Sequence, residues 1–207
     1  GCFLCSECED LSLFRQSLFV TIHIDGILIV RINHGFSQAR ATPTLPQTAR
    51  DVADLLKALN LAPTLVVGHS AGAASASRMA LDGLVAPNAI ASVNGALYPF
   101  PGAAGASFPL MAKMLFLNPV VPQVFAWGAQ DRRRVEKLIA DTGSTRDDAG
   151  MDGYHTLIRS AGHCRGTLAQ MAHWNLEPLL DDVHRLAIPL LAIVADGDKT
   201  IPPEQVD

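Results

Sequence analysis

A serine between two glycines is the residue best suited to chemistry in this chain of 207 residues. Ser70 lies in the sequence Gly-His-Ser-Ala-Gly at positions 68–72, after the apolar run 65–67 and before an alanine-rich stretch without a helix breaker as far as Leu81. This order predicts a strand, a sharp turn and a helix, with Ser70 at the turn. A serine held there in a strained backbone conformation presents its hydroxyl clear of the sheet, as a nucleophile requires.

The neighbours of Ser70 fit the same interpretation. Gly68 and Gly72 remove side chains that would collide where the strand and the helix pass closely. The helix directs its first N–H groups towards the turn, so the Ala71 N–H is predicted to stabilise an oxyanion. The side chain of His69 is expected to diverge from that of Ser70, which makes His69 a pocket-wall or packing residue rather than a base. The alternative is an ordinary tight turn formed by a chance match.

Composition limits the class of protein. Hydrophobic residues make up 49% of the chain and the formal net charge is −4. A chain of this length is expected to bury one core, as one domain with an insertion. The acidic balance and the lack of a long basic run argue against a nucleic-acid surface. No apolar run reaches the roughly 18 residues that span a bilayer, and the N-terminus lacks a signal-peptide pattern, which predicts a soluble cytoplasmic protein without a transmembrane segment.

The four cysteines do not make a convincing metal site. Cys2, Cys5 and Cys8 cluster near the N-terminus, and Cys164 stands alone. A closed structural zinc site needs four ligands and only three are local, so free thiols are expected, with a metal as the alternative. No metal and no cofactor are predicted.

The elements around Ser70 predict a largely parallel sheet. A buried strand is expected at 27–30, an amphipathic helix at 46–60 and a further strand at 89–93 that ends at Asn94. Strands that alternate with helices in this way form βαβ units. The apolar stripe predicted for the helix consists of Val52, Leu55, Leu56 and Leu59.

From Tyr98 onwards the strand pattern disappears. Glycines and prolines at 99–109 are expected to break regular structure, and short helices are predicted at 111–117, 122–127, 132–141 and 154–171. A strand signal returns at 188–194. An insert of this length between two core strands predicts a lid over the site. Its apolar side chains either face a bulky hydrophobic ligand or pack the lid onto the core; they are Phe100, Phe108, Met111, Met114, Phe116, Phe125 and Trp127.

Four parts are therefore expected. Residues 1–25 have no clear period and no assigned structure. Residues 26–97 form the core α/β part that contains Ser70, residues 98–186 form the helical cap insertion, and residues 187–207 form a core strand and the loop that follows it.

The motif at 68–72, set between a strand and a helix, resembles the α/β-hydrolase family. The resemblance implies the α/β-hydrolase fold and a chain order of serine, acid and histidine. Asp198 fits the acid, because residues 195–202 resemble the family's strand-end turn with an aspartate four residues before a proline. Asp196 is the second choice, and a plain solvated loop is the alternative. Some members place the acid one strand earlier, where this chain has Asn94.

The histidine of that series is missing after Asp198. Every histidine precedes the acid, and those in the predicted cap are expected to have cap or surface roles; they are His155, His163, His173 and His184. The turn at 33–37 (Asn-His-Gly-Phe-Ser) resembles the family's turn after the fourth strand, which makes His34 structural. On this interpretation the family pattern is incomplete at both ends of the sequence.

Several stretches resemble one subgroup more specifically, the magnesium-chelatase accessory proteins of bacteriochlorophyll biosynthesis. They are residues 68–74, 78–83, 94–97, 99–100, 102–105, 142–144 and 168–179. The resemblance implies a role near magnesium insertion into protoporphyrin, with magnesium-chelatase subunits as partners. The expected activity is that of a serine hydrolase on an ester-type bond of a hydrophobic substrate, such as a tetrapyrrole ester. The alternatives are a non-catalytic protein that binds a porphyrin or docks on the chelatase, and a generic carboxylesterase.

Overall fold

The computed structural model describes residues 42–99, 102–141, 143, 146–198 and 201, and for residues 102–109 it describes the backbone. The strand predicted at 27–30, the turn at 33–37 and the cysteines at positions 2, 5 and 8 lie outside the described residues. The elements in chain order are α1 (Leu45–Ala58), β1 (Leu65–His69), α2 (Ala71–Leu81), β2 (Ala89–Val93), α3 (Gly102–Leu117), α4 (Val121–Gly128), α5 (Arg132–Asp141), α6 (Asp148–Ile158), α7 (Ala161–His173), α8 (Glu177–Val183) and β3 (Leu190–Ile193).

The described strands form one parallel sheet in the order β1-β2-β3, as the sequence predicted. Leu65 pairs with Ala89, and Ile90 pairs with Leu190, so the registers of β1 with β2 and of β2 with β3 are continuous. Helix α2 connects β1 to β2, whereas α3–α8 connect β2 to β3. Because all three strands run in the same direction, their carboxyl ends meet at one edge of the sheet.

Helix α1 begins with a cap and packs through small residues. The Thr44 hydroxyl accepts a hydrogen bond from the Gln47 N–H, and Pro46 occupies the first turn, where its missing N–H costs nothing. The buried face is centred on Leu45, Ala49, Ala53 and Leu56. The predicted stripe was therefore wrong in its centre: of its four members only Leu56 is buried, because the alanines allow α1 to approach the alanine-rich α2 closely.

Helix α2 is the central helix of the described core. Ala73 and Ala74 have no exposed surface, and α2 contacts α1, β1, β2 and α8. Arg78 on α2 donates to Asp182 on α8 at 2.7 Å and also pairs with Asp82. Burial opposes the charge of Arg78, but the hydrogen bonds to Asp182 and Asp82 outweigh it and raise its pKa above the ordinary value. The contact with Asp182 joins α2 to α8, while the contact with Asp82 lies at the end of α2 itself.

The helices between β2 and β3 differ from the prediction in several places: α8 was not predicted, and α6 begins at Asp148 rather than at position 154. Helix α3 begins at Gly102 and continues through Pro109 to Leu117, although breaks were predicted over 99–109. The single helix predicted at 154–171 is two helices, α6 and α7. Ser160 separates them, because its hydroxyl accepts from the His163 N–H and caps the start of α7.

A second apolar cluster lies within this helical segment. It joins α5 and α6 and consists of Ala129, Val135, Ile139 and Met151, with Ile158 packed against it. Helix α7 packs against α3 and α4. No single helix in the described ranges has the length and apolar character of a membrane span; Leu110–Leu117 and Val121–Gly128, bent by 92°, meet those criteria only when taken together.

Candidate active site

Ser70 occupies the turn between β1 and α2 in a backbone conformation that non-glycine residues rarely adopt. Its φ is 53° and its ψ is −125°. Three backbone hydrogen bonds hold this conformation: the Ser70 N–H donates to the Val93 carbonyl at 3.0 Å, and the Ser70 carbonyl accepts from the N–H groups of Ala73 at 3.0 Å and Ala96 at 3.1 Å. The strand, turn and helix predicted from the sequence are therefore present, with Ser70 at the turn.

The two glycines of the motif do not have the same role. A Cβ on Gly68 would lie 2.5 Å from both the N and the Cα of Ala73, so the start of α2 leaves no space for a side chain there. At Gly72 nothing lies within 4 Å of an added Cβ. Both glycines were predicted to be needed because strand and helix pack closely. This holds for Gly68. It is wrong for Gly72, because no described residue packs where its side chain would be.

The start of α2 provides the donors expected near Ser70. Ala71 is the first residue of the helix, so its N–H has no acceptor within the helix and lies at the positive end of the dipole. The Ser70 side chain does not cap the helix. Its hydroxyl is therefore not used to satisfy those N–H groups, and a serine hydroxyl and a set of helix N–H groups lie at the same turn.

His69 is the last residue of β1 and is exposed. Side chains alternate along a strand, which places His69 on the same face as Leu65 and Val67, both more than half exposed. Its divergence from the Ser70 side chain and its role as a pocket-wall or packing residue stay predictions.

Asp198 lies in the turn that follows β3 and is fixed through both carboxylate oxygens. Its Oδ1 accepts from the Ile201 N–H at 3.0 Å, and its Oδ2 accepts from the Asn94 Nδ2 at 2.6 Å. Its own N–H donates to the Ala195 carbonyl at 3.1 Å. Asp196, the second choice for the acid, is exposed.

Asn94 is the residue at this edge whose role the sequence did not reveal. It directly follows β2, is 8% exposed and has a φ of 42°. Its N–H donates to the Ile193 carbonyl at 2.8 Å, while its side chain reaches Asp198. An asparagine followed by glycine after a strand signals a left-handed turn, and that signal was available in the sequence.

The strand order places the Ser70 turn and the Asp198 turn on either side of the end of β2. Neighbouring strands lie about 4.8 Å apart, so the ends of β1 and β3 are separated by about 10 Å. The two turns therefore lie at the same edge of the sheet, with the end of β2 between them.

The four histidines that were predicted to belong to a cap lie in or next to the helices between β2 and β3. His173 Nδ1 lies 2.8 Å from the Ala169 carbonyl, and its ring meets Phe116 edge-on, with centroids 5.7 Å apart. Burial lowers the pKa of His163 below its ordinary value. His155 on α6 has a buried Nε2 without a hydrogen-bond partner, and His184 ends α8 and is exposed.

Apolar side chains of the helical segment are strongly exposed. Met111, Met114, Phe125 and Trp127 are between 50% and 74% exposed, and Phe116 is half-buried. A cavity of about 380 Å³ lies elsewhere, on the face of β2 and β3 next to α8, where Ser92, Tyr98, Val183 and Leu190 are among its lining residues. The described residues contain no group of three or more His, Cys, Asp or Glu side chains that could hold a metal ion.

The comparisons with known proteins agree with this architecture. A model of the alpha/beta hydrolase family matches residues 14–206. The chain is 40% identical over 172 residues to the magnesium-chelatase 30 kDa subunit of Rhodobacter capsulatus, which covers 82% of this chain and 60% of that protein. The sequence therefore spans about three fifths of the length of this relative.

Two solved structures have the same fold. One is an alpha/beta hydrolase fold protein from Burkholderia ambifaria, with a TM-score of 0.66 and 15% identity over 87% of this chain and 66% of that one. The other is an esterase from Exiguobacterium antarcticum, with a TM-score of 0.62 and 16% identity over 86% of this chain and 65% of that one. These structures show the fold, and the family match over residues 14–206 shows that the chain belongs to the alpha/beta hydrolase family.

Proposed function

We propose that this protein is a serine hydrolase that cleaves an ester-type bond of a hydrophobic substrate. The observation that carries the proposal is the left-handed backbone of Ser70 at the strand–helix turn, where the hydroxyl does not cap the helix. A non-glycine residue in such a conformation costs of order 1–3 kcal/mol, and such strain clusters at functional sites.

In the proposed reaction the Ser70 Oγ attacks the ester carbonyl carbon and loses its proton to a base that is assigned to no described residue. The Ala71 N–H stabilises the oxyanion that develops on the carbonyl oxygen. Asp198, held at the end of β3, orients the base and stabilises its positive charge. The alcohol leaves with a proton from the base, and water then releases the acid from the acyl-serine.

The same proposal assigns residues 98–186 to a cap over Ser70. The exposed apolar side chains of α3 and α4 support a substrate with a large apolar surface. A tetrapyrrole ester fits this description. The relative named as a magnesium-chelatase subunit supports an accessory role at magnesium chelation in bacteriochlorophyll synthesis, with chelatase subunits as partners.

A fluorophosphonate probe tests the nucleophile in the complete protein. We expect one site of labelling, lost in Ser70→Ala. Ser77→Ala is the matched control, because Ser77 lies on the same helix, is fully buried and has an Oγ without a hydrogen-bond partner. Labelling that persists in Ser70→Ala, or that is absent from the wild-type protein, contradicts the proposal.

A second candidate function is a non-catalytic accessory protein that holds a porphyrin or docks on the chelatase. The observation that favours it is the name of the relative, a subunit of a chelatase rather than a hydrolase. In a bacterium that makes bacteriochlorophyll, Ser70→Ala would then leave pigment content unchanged. Hydrolysis of simple esters without any effect on pigment would instead favour a generic carboxylesterase.

A further inference from the structure

We propose that Asn94 is a positioning residue that fixes the carboxylate of Asp198 for its work with the catalytic base. The proposal rests on the serine-hydrolase function given above and adds a residue to that site. Asn94 touches neither the reacting serine hydroxyl nor, on this assignment, the substrate. It acts through Asp198.

The first support is the geometry of the side-chain contact. The Asn94 Nδ2 lies 2.6 Å from Asp198 Oδ2, and the Ile201 N–H lies 3.0 Å from Asp198 Oδ1. An ionised carboxylate accepts hydrogen bonds and cannot donate them, which makes the amide nitrogen of Asn94 the atom that faces it. With one donor on each oxygen, the carboxylate cannot rotate about its last bond without losing both contacts. A carboxylate oxygen can accept more than one hydrogen bond, so these contacts are compatible with a further one from the ring N–H of a base.

The second support is the backbone around Asn94. Its N–H donates to Ile193, the last residue of β3. Val93, just before it, accepts from the Ser70 N–H through its carbonyl, and Ala96, two residues after it, donates its N–H to the Ser70 carbonyl. The segment 93–96 therefore touches both the serine turn and the strand that leads to the acid. A shift of Asn94 would be transmitted to both turns.

The third support is the choice of residue. At a φ of 42° most side chains are strained, and asparagine, aspartate and glycine are the residues that accept this region most readily. Glycine would provide no donor. Aspartate would place a second carboxylate against Asp198, and two such groups at hydrogen-bond distance hold a proton between them. Asparagine alone combines the backbone with a donor that stays neutral at any pH.

The test uses the rate of fluorophosphonate labelling of the complete protein, measured from pH 5 to pH 9, in Asn94→Gly and Asn94→Asp. Matched controls are Asn60→Gly and Asn60→Asp, because Asn60 is an exposed asparagine with a φ of 54°. The other described titratable groups near this edge are His69 at the end of β1 and Asp196 in the Asp198 turn. The thermal midpoint of each variant is measured over the same pH range.

We expect Asn94→Gly to label about 10–100-fold more slowly, the range expected when a reacting group is misplaced by about 1 Å. In Asn94→Asp the two carboxylates share a proton at low pH, so the acidic limb of the pH–rate profile moves to higher pH, and the thermal midpoint recovers towards the wild-type value as the pH falls. The exchanged variant Asn94→Asp/Asp198→Asn restores an amide–carboxylate pair, and we expect it to label faster than Asp198→Asn.

If the wild-type protein is labelled, and the Asn94 variants are labelled at the same rate and with the same pH profile, the role proposed for Asn94 is wrong. The hydrolase function then still stands. A lower thermal midpoint with an unchanged labelling rate also contradicts the positioning role, because it is the result expected if Asn94 only stabilises the fold. A wild-type protein that does not label at any pH overturns both proposals.

Discussion

The backbone N–H of Ser70 donates to the carbonyl of Val93 across 3.0 Å, a bond between the turn after β1 and the last residue of β2. This contact holds a serine in a conformation that glycine adopts more easily. The local backbone energy of the turn is therefore unfavourable, and the hydrogen bonds around it keep the conformation in place.

Ser70→Gly is expected to stabilise the fold while it abolishes labelling by a fluorophosphonate. Relief of the strained backbone is expected to raise the free energy of unfolding by about 1–3 kcal/mol. Glycine also has greater freedom in the unfolded chain, which lowers the free energy of unfolding by about 0.5–1 kcal/mol. Chemical denaturation measures the difference in the free energy of unfolding. Asn60→Gly is the control, with a smaller gain because asparagine tolerates a positive φ. A lower stability for Ser70→Gly would mean that the turn is not strained.

Gly68→Ala and Gly72→Ala form a matched pair within one motif. The new methyl group at 68 meets backbone atoms of Ala73 at 2.5 Å, so we expect a loss of at least about 1–3 kcal/mol of stability or a failure to fold. The methyl group at 72 enters open space, and Gly72→Ala is expected to be neutral or to gain up to about 1 kcal/mol. Thermal melts compare the two. Equal effects would contradict the packing described here.

Arg78→Met is expected to lower the thermal midpoint by roughly 2–4 °C, because it removes the Arg78–Asp182 contact between α2 and α8 and leaves Asp182 without its closest partner. Arg185→Met is the matched control. Arg185 pairs with the same carboxylate at 3.0 Å, but its side chain is 68% exposed against 11% for Arg78. If Arg185→Met lowers the thermal midpoint as much as Arg78→Met does, the contact between α2 and α8 is not the cause of the loss.

The contribution of Arg78 should depend on pH. The hydrogen bond from Arg78 holds the pKa of Asp182 below its ordinary value. A carboxylate with a lowered pKa in the folded state adds stability above its unfolded pKa of about 3.9, and that stability is lost as the pH falls further. The difference in midpoint between the wild-type protein and Arg78→Met is therefore expected to be full at pH 6 and to shrink below about pH 4. If the difference in thermal midpoint stays constant down to pH 2.5, the stabilisation by Arg78 comes from the packing of its side chain and not from its charge.

Cys164 is expected to report on opening of the helical segment. Its thiol is buried, contacts the Ile158 carbonyl at 3.1 Å and has a pKa raised by burial, so little thiolate is present near neutral pH. In a variant with serine at positions 2, 5 and 8, we expect a maleimide to react slowly in native buffer and rapidly in denaturant. Fast reaction in native buffer would show that α6 and α7 separate readily.

The sequence predicted the elements around Ser70 well because their signals are local. An apolar run, a glycine turn and an alanine-rich stretch lie next to one another at 65–81, and the end of α2 at Asp82 and Gly83 was marked by turn residues. Parallel pairing of β1, β2 and β3 followed from the alternation of strands and helices. The membership of the alpha/beta hydrolase family was predicted from the same stretch and is confirmed.

The errors arose where packing decides the outcome. Proline was expected to end a helix, yet α3 passes through Pro109. The face of α1 was assigned to its larger side chains, whereas close contact with α2 favours Ala49 and Ala53. The pairing of Asn94 with Asp198 could not be derived from spacing, because it depends on the register of two strands that are distant in the sequence.

The in-register pairing of β2 with β3 has a consequence for how such proteins diversify. Helices α3–α8 leave the sheet at the carboxyl end of β2 and return to it at the amino end of β3, and the two strands pair directly with each other. Segments attached in this way can be lengthened, shortened or exchanged with little effect on the scaffold that carries them. Evolution can therefore remodel these helices while the turns that carry Ser70 and Asp198 keep their places.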